Sequence, residues 1–489
     1  MLLNKDGELK WFKLFGHFSL IFLFLSSFAW AESFKDFKRN QAKSFSTYKD
    51  EKDAAFNNYL KEQFEEYSAH IEAPLYETPK PKSITPAIAK KIQSVGPVVN
   101  VKLKPIVTVD SNITKKSEIA VVSLKKQDVS FDFYGTSLGF VVDDSVKSAK
   151  FYPQNQEGIT NFFNAAAKSE YENIILRISS IQNSMRLNDW GVYLLVSKFS
   201  QELFSNPEDA KLMSWFIFNK LGYDVKVGLA HRQVTLMYYS KKTIYSTPNY
   251  TFSNKKFYLF SHYNKDRVSR LYSYKQSYPG AIKAFDLSLK ELPRFNANMK
   301  KKSLWFKYDD EVFTTTYHYN QNLIDFMATY PQADYETFFN APVDEMSYTT
   351  IARDIKKYID GKKASVALNF VLSFVQNAFV YERDNKQFSR EKVMFAQETL
   401  YFEKSDCEDR AILFSYLVKE LFGYSVVGVK YKDHMATALY IPLEGDSVKV
   451  GRKKYVIADP TYINSNIGQS MPKYRAKKPE SFIVLNSKN

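Results

Sequence analysis

Apolar and polar positions change period several times along the chain, and the sharpest change lies between residues 405 and 468. Ile412, Leu413, Tyr416, Leu417 and Leu421 recur at helical spacing, which predicts a helix directly behind Ser405-Asp406-Cys407-Glu408-Asp409-Arg410. It ends at Phe422-Gly423, where the glycine suits a left-handed cap. Alternation then takes over. From Tyr431 to Ile441, His434, Ala436, Ala438 and Tyr440 share one strand face, and Met435, Thr437 and Leu439 share the other. A second alternating run, Tyr455-Val456-Ile457-Ala458-Asp459, ends on Asp459, with the turn signal Leu443-Glu444-Gly445-Asp446-Ser447 between the two. A hairpin centred on Asp446-Ser447 sets His434 opposite Asp459, and a bulge at Gly451 would shift that register by one.

Upstream, Phe34, Phe45, Phe56 and Tyr67 recur every eleven residues, and Phe37, Tyr48 and Tyr59 keep the same step. Eleven residues are close to three helical turns, so residues 32–73 read as an amphipathic helical segment with one aromatic stripe. The stripe packs on its own protein or docks to a partner or membrane surface. Pro74, Pro79-Lys80-Pro81, Pro86, Pro97 and Pro105 mark residues 74–128 as an extended Pro/Lys-rich linker. Folded sequence resumes at Val129.

The remainder repeats. Thr160-Asn161-Phe162-Phe163-Asn164-Ala165 echoes Thr337-Phe338-Phe339-Asn340-Ala341, and the stretch Pro207 to Tyr238 echoes Cys407 to Tyr440. Lys255-Lys256-Phe257-Tyr258-Leu259 echoes Lys453-Lys454-Tyr455-Val456-Ile457. Two copies of one α+β fold are expected, over 129–284 and 285–489. In that alignment Cys407 corresponds to Pro207 or Asn206, His434 to Gln233 and Asp459 to Ser261, so the first copy lacks all three groups. The second carries an extra stretch, roughly Tyr381 to Lys404, which is a candidate substrate-binding border. Phe285 to Tyr319 reads as strands.

The candidate chemistry follows from Cys407, the only cysteine in the chain. At a helix start its thiolate meets free N–H groups and the positive dipole end, while Asp406, Glu408 and Asp409 oppose it, so a basic partner is required. His434 would take the thiol proton, and Asp459 would fix the imidazole tautomer and stabilise its charged form. Oxyanion stabilisation would use the Cys407 backbone N–H, with Gln397 or Tyr401 as second donor. Read singly, each residue has a bland counterpart: a small apolar core residue, a satisfied strand histidine and a turn-opening Asp-Pro.

The run Glu398-Thr399-Leu400-Tyr401-Phe402 through Ser405-Asp406-Cys407-Glu408-Asp409-Arg410, then Asp433-His434 and Ala458-Asp459-Pro460-Thr461-Tyr462, resembles the transglutaminase-like superfamily, in its exported bacterial branch. The resemblance implies a papain-like core, with a Cys-bearing helix on an antiparallel sheet that supplies His and Asp in that order. Taken with the internal repeat, it gives a tandem pair of such domains, the first degenerate. The activity implied is cleavage or transfer at a protein or peptide amide bond, as a cysteine peptidase, amidase or acyltransferase. Hydrolysis is favoured over cross-linking because nothing in the sequence marks an amine-binding subsite. A different class stays open: a non-catalytic cell-envelope scaffold or binding protein with a relic triad.

Residues 1–31 read as a secretory signal, with Lys5, Lys10 and Lys13 ahead of the apolar run Phe18 to Phe28 and a cleavage site at Ala29-Trp30-Ala31. Retention as an anchor is the alternative. Export to the periplasm also sets the reading of Cys407, since structural cysteines in an oxidising compartment come in pairs. The net charge is +15, and removing residues 1–31 takes away three lysines and two acidic residues. That surface is a solubilising charge or attracts an anionic cell-envelope component. Scattered lysines without a motif argue against nucleic acid. No glycine phosphate loop, paired-cysteine zinc site or calcium loop occurs, and no cofactor or metal is expected.

Overall fold

The computed structural model describes residues 47–76, 78–103, 127–260 and 270–485. The expected signal segment and Phe34, Phe37 and Phe45 lie outside these residues. The chain divides into two compact units, residues 1–62 and 63–489. The described part of the first is one helix, α1, over residues 47–62. The aromatic stripe is therefore helical at Tyr48, Phe56 and Tyr59 but not at Tyr67, which lies on a strand.

The second unit is mixed α+β. It opens with β1 (Glu65–Ser68) and β2 (His70–Ile71), and after residues 78–103 continues with the hairpin β3 (Val129–Phe133) and β4 (Thr136–Phe140). Helices α2 (Asp144–Lys147), α3 (Gln156–Ala167), α4 (Glu172–Met185), α5 (Asp189–Leu203) and α6 (Pro207–Lys220) follow. Strands β5 (Val225–Ala230), β6 (Gln233–Tyr239), β7 (Pro248–Phe252), β8 (Lys255–Tyr258) and β9 (Arg270–Ser273) complete this half.

A similar series then runs again. A hairpin of β10 (Met299–Tyr308) and β11 (Glu311–Asn320) leads to α7 (Gln321–Ala328), α8 (Tyr335–Phe339), α9 (Glu345–Ile359) and α10 (Ala364–Asn377). The run from Phe285, expected as strand, thus becomes a regular strand only at Met299. Next come β12 (Val380–Tyr381), α11 (Asp384–Gln387), α12 (Ala396–Tyr401) and β13 (Lys404–Ser405), the stretch without a counterpart upstream. Helix α13 (Cys407–Phe422) precedes β14 (Val426–Tyr431), β15 (His434–Leu439), β16 (Ser447–Val450), β17 (Lys453–Ala458) and β18 (Ser481–Val484).

The second-half sheet has the order β16-β17-β15-β14-β18, and the first-half sheet contains β7-β8-β6-β5-β9, the same order strand for strand. The first sheet is longer, with β1 added on β9 and β2 on β7. Ala69 alone joins β1 to β2, which stand at opposite ends of that order. The sheet must therefore curl until its two edges meet. Met237, Tyr250, Phe252, Phe257 and Leu271 form the apolar cluster on its inner face.

Helix α13 is the centre of the second half. Its apolar residues Ile412, Leu413, Leu417, Val418 and Leu421 are buried, each contributing roughly 1.5–3 kcal/mol if fully withdrawn from water. Gly423 ends it at φ +70°, with its N–H on the Lys419 carbonyl at 3.0 Å, a conformation a side chain would strain.

Two expectations about chain path are corrected. The residues read as a linker do not hang free over 78–103: Val99 N donates to Lys362 O at 2.8 Å, Ala87 N to Ile463 O at 2.8 Å, and Val98 bridges Lys363. The prolines exclude this segment from helices and sheet interiors, and it runs extended over the second half. Secondly, β15 and β17 are adjacent but not a simple hairpin. The chain first forms β16 on the far side of β17 and turns back at Gly451 (φ +61°). The observed pairs are Thr437 with Ala458, Ala438 with Ile457 and Leu439 with Val456. His434 is thus offset by two residues from direct pairing with Asp459. An even offset keeps both on the same face.

Among the described residues, no helix is long and apolar enough to cross a membrane.

Candidate active site

Cys407 is the first residue of α13. The turn before the helix is fixed by Asp406 N donating to Asp409 Oδ2 at 3.2 Å, and Asp409 Oδ1 accepts from Met394 N at 2.8 Å. Arg410, fully buried, donates to the Ser405 hydroxyl at 3.1 Å and to the Gln376 and Phe379 carbonyls at 3.2 and 2.7 Å. Those carbonyls close α10, so the guanidinium satisfies a helix end and ties the start of α13 to it.

His434 opens β15. Its Nε2 lies 2.8 Å from Asp459 Oδ2, and both side chains are buried. Asp459 Oδ1 accepts from Thr461 N at 3.0 Å and Tyr462 N at 3.2 Å, the turn that Asp-Pro opens. The Gln376 amide donates to the Asp459, Tyr462 and Ser465 carbonyls at 2.9–3.3 Å, which pins the loop carrying the carboxylate. Tyr474 stacks on the imidazole with ring centres 4.7 Å apart and anchors its hydroxyl on Asp433 at 3.0 Å. The other ring nitrogen, Nδ1, is buried without a hydrogen-bond partner. Asp459 thus holds Nε2 and leaves Nδ1 as the nitrogen that could take a proton.

The thiol is engaged elsewhere. Cys407 Sγ donates to Glu408 Oε2 at 3.1 Å. Burial pushes the thiol well above its ordinary range; Glu408 and Asp406 add to the rise, and Lys80 opposes it. In this arrangement the sulfur is protonated and sealed, with 0 % of Cys407 exposed.

Around it lies a cluster that sequence reasoning missed. Lys80 Nζ sits 2.5 Å from Asp406 Oδ2, 2.6 Å from Glu408 Oε1, 2.8 Å from Glu391 Oε1 and 3.2 Å from Asp384 Oδ2. Burial alone would lower this lysine, but Asp406, Glu408 and Asp384 together hold it well above its usual value. Desolvation and the neighbouring Asp406 push Asp384 up to about 8. Tyr76, from the same segment, places its ring 5.1 Å from the ammonium and 6.3 Å from the ring of Tyr335. Burial and Glu408 raise both phenols. The available signal was the crowd of carboxylates between 382 and 409, which needs a cation once buried.

Of the expected second oxyanion donors, Gln397 is committed to the start of α9, accepting from Asp344 N at 2.9 Å and donating to the Ser347 hydroxyl at 3.4 Å. Tyr401 packs its ring on Tyr319 and Phe402, and it makes no hydrogen bond to Cys407. The stretch 381–404, expected as a substrate border, supplies Asp384 and Glu391 to the Lys80 cluster and Met394 N to Asp409. In the first half, Pro207 opens α6 as Cys407 opens α13, and Gln233 opens β6 as His434 opens β15. Ser261 and His262 lie outside the described residues. His231 is in the turn before β6, exposed.

The chain matches no protein-family model, no curated protein and no solved structure.

Proposed function

We propose that this chain is an exported thiol enzyme of transglutaminase-like type, built as a tandem pair of such domains, that acts on protein or peptide amide bonds through Cys407, His434 and Asp459. The observation that carries the reading is the buried His434–Asp459 pair with Nδ1 unpartnered, on the sheet that follows the helix opened by the only cysteine. The identical strand order of the two sheets supports the tandem arrangement. In the reaction the sulfur leaves Glu408 and gives its proton to His434. It then attacks the carbonyl carbon, the C–N bond breaks, and the amine departs with the proton from the imidazolium. Water then cleaves the thioester, restoring the thiol. Hydrolysis remains the favoured outcome over transfer to an amine. The work is placed in the periplasm, with an anionic cell-envelope component as the partner that the basic surface suits.

The test is incubation of the full chain with a peptide library bearing glutamine and backbone amides, followed by intact-mass analysis. Wild type should release amine or ammonia and show an acyl adduct on Cys407 that hydroxylamine removes, and Cys407→Ala should show neither. Indistinguishable behaviour of the two chains would end the enzymatic reading.

One observation favours the second reading, a scaffold with a relic triad: the thiol is sealed, protonated and bonded to a carboxylate. In that case Cys407→Ala retains the partner binding of the wild type.

A further inference from the structure

Lys80 belongs to neither half of the repeated fold. It is brought to the site by the extended segment after β2, between Pro79 and Pro81, and the Tyr381 hydroxyl holds that segment by donating to Pro81 O at 2.8 Å. Its ammonium touches four carboxylates separated from it by roughly three hundred positions in sequence. Two of them, Asp406 and Glu408, flank Cys407. Glu408 links cation and sulfur directly, accepting from Lys80 on Oε1 and from the thiol on Oε2. One oxygen of the nest, Asp406 Oδ1, is buried without any partner.

Four carboxylates converging in a buried pocket disfavour one another unless a cation is present. Here that cation is a side chain of the same polypeptide, held beside the cysteine. Lys80 reaches the thiol through Glu408, which accepts the Cys407 hydrogen bond, and Tyr76 places its ring 5.1 Å from the ammonium. Cys407 and His434 are fully buried, so access requires some covering element to move. Tyr76 and residues 78–81 have no helix or ladder bonds of their own, whereas Tyr335 and Tyr381 sit on regular elements.

Resting on the proposed thiol chemistry, we infer that Tyr76 and residues 78–81 are a built-in cover and that Lys80 occupies, in cis, a subsite for a cationic side chain of the substrate. Displacement of Lys80 by such a side chain lifts the cover, puts the substrate's cation on Glu408 in its place and lets the thiol turn to His434 Nδ1. Substrates with a lysine or arginine near the reacting amide are therefore preferred over neutral ones.

The experiment measures iodoacetamide alkylation of Cys407 in the full chain by intact mass at pH 8, for wild type, Lys80→Gln, Lys80→Arg and Glu391→Gln, with circular dichroism to verify folding. Lys80→Gln should react roughly tenfold faster or more than wild type, since breaking a buried ion cluster releases the cover. Lys80→Arg should stay protected, and Glu391→Gln, which removes the most exposed of the four carboxylates, should fall between. In Lys80→Gln, N-acetyl-lysine amide should slow alkylation saturably, and N-acetyl-norleucine amide should not. Alkylation of Lys80→Gln no faster than wild type overturns the cover; equal effects of the two amides overturn the cationic subsite. If Lys80→Gln does not fold, an unchanged rate in Glu391→Gln overturns the cover in its place. His434→Ala in the Lys80→Gln background separates this inference from the triad. Fast alkylation indifferent to His434 keeps the cover and sinks the triad, and slow alkylation that still depends on His434 does the reverse.

Discussion

The two halves of the second unit share a strand order and differ at the start of one helix. In the first half, α6 begins with Asn206 capping Glu208 N and Pro207 in the first turn, beside a surface cleft lined by Lys150, Tyr152, Asp209 and Arg232. In the second, α13 begins with Asp406 and Cys407, and that position is closed by Lys80. A proline at the first helical position needs nothing from its neighbours, because the missing N–H is unpaired there anyway. The buried carboxylates that frame Cys407 need a cation, and Lys80 supplies it. The helix start of the first half takes its partners from its own half, Phe151 N on Asp209 and Val234 N on Glu208, whereas that of the second also draws on Lys80 from outside both. The extra stretch 381–404 and the Lys80 segment both serve the half that carries the thiol.

That contrast can be broken most severely at Cys407. Cys407→Ala should abolish covalent labelling and amide turnover. Pro207→Cys should not confer turnover on the first half, because Gln233 cannot take a proton there; turnover by that variant in a Cys407→Ala background would erase the distinction. Asp459→Asn should follow in size. The carboxylate that fixes the imidazole becomes an amide, and the acylation rate should fall by about 10²- to 10⁴-fold with the fold intact, measured by single-turnover kinetics and circular dichroism.

Gln376→Leu is a smaller, structural change. It leaves the Asp459, Tyr462 and Ser465 carbonyls without their shared donor, and chemical denaturation should register a loss of about 1–3 kcal/mol. An unchanged stability would mean the loop holds Asp459 without it.

The first half has its own buried cation, and it differs in kind from Lys80. Lys226 lies inside the curled sheet, donating to Lys275 O at 3.0 Å and Ser277 Oγ at 3.3 Å, with the rings of Phe252, Phe257 and Tyr274 about it. Desolvation pulls it down to about 7, only partly offset by Asp224. A lysine lowered on folding binds fewer protons in the native than in the unfolded state between pH 7 and its unfolded value near 10.4. Stability therefore rises with pH across that window, and the cost is fully present below 7. Lys226→Met should stabilise the protein by about 1–3 kcal/mol at pH 6, with the gain fading toward pH 10. Asp384 gives the opposite slope at lower pH. A carboxyl raised to about 8 binds more protons when folded, so stability falls as pH rises from about 4 to 8, and Asp384→Asn should flatten that fall. Thermal melts across pH 4 to 10 check both signs.

The sequence by itself determined what depends on short spacings. Helical spacing of Ile412, Leu413, Leu417 and Leu421, with Gly423 behind them, is a local demand, and α13 spans Cys407–Phe422 accordingly. The face shared by His434 and Asp459 was also legible, because a strand's period of two survives the two-residue offset that β16 introduces. Repeat periodicity pointed to the paired starts of α6 and α13 and of β6 and β15. Only the tertiary structure decided which distant groups surround the thiol. Nothing near Pro79-Lys80-Pro81 distinguishes a linker from a strap, since its partners lie at Asp384, Asp406 and Glu408, 304, 326 and 328 positions away. Gln397 and Tyr401, close to Cys407 in sequence, are turned to α9 and β11 by the packing of α12. Periodicity reports which side of an element is buried. The electrostatics of a buried cluster depend on which charges the whole fold brings within a few ångströms, and that is set by chain path rather than by neighbours along the chain.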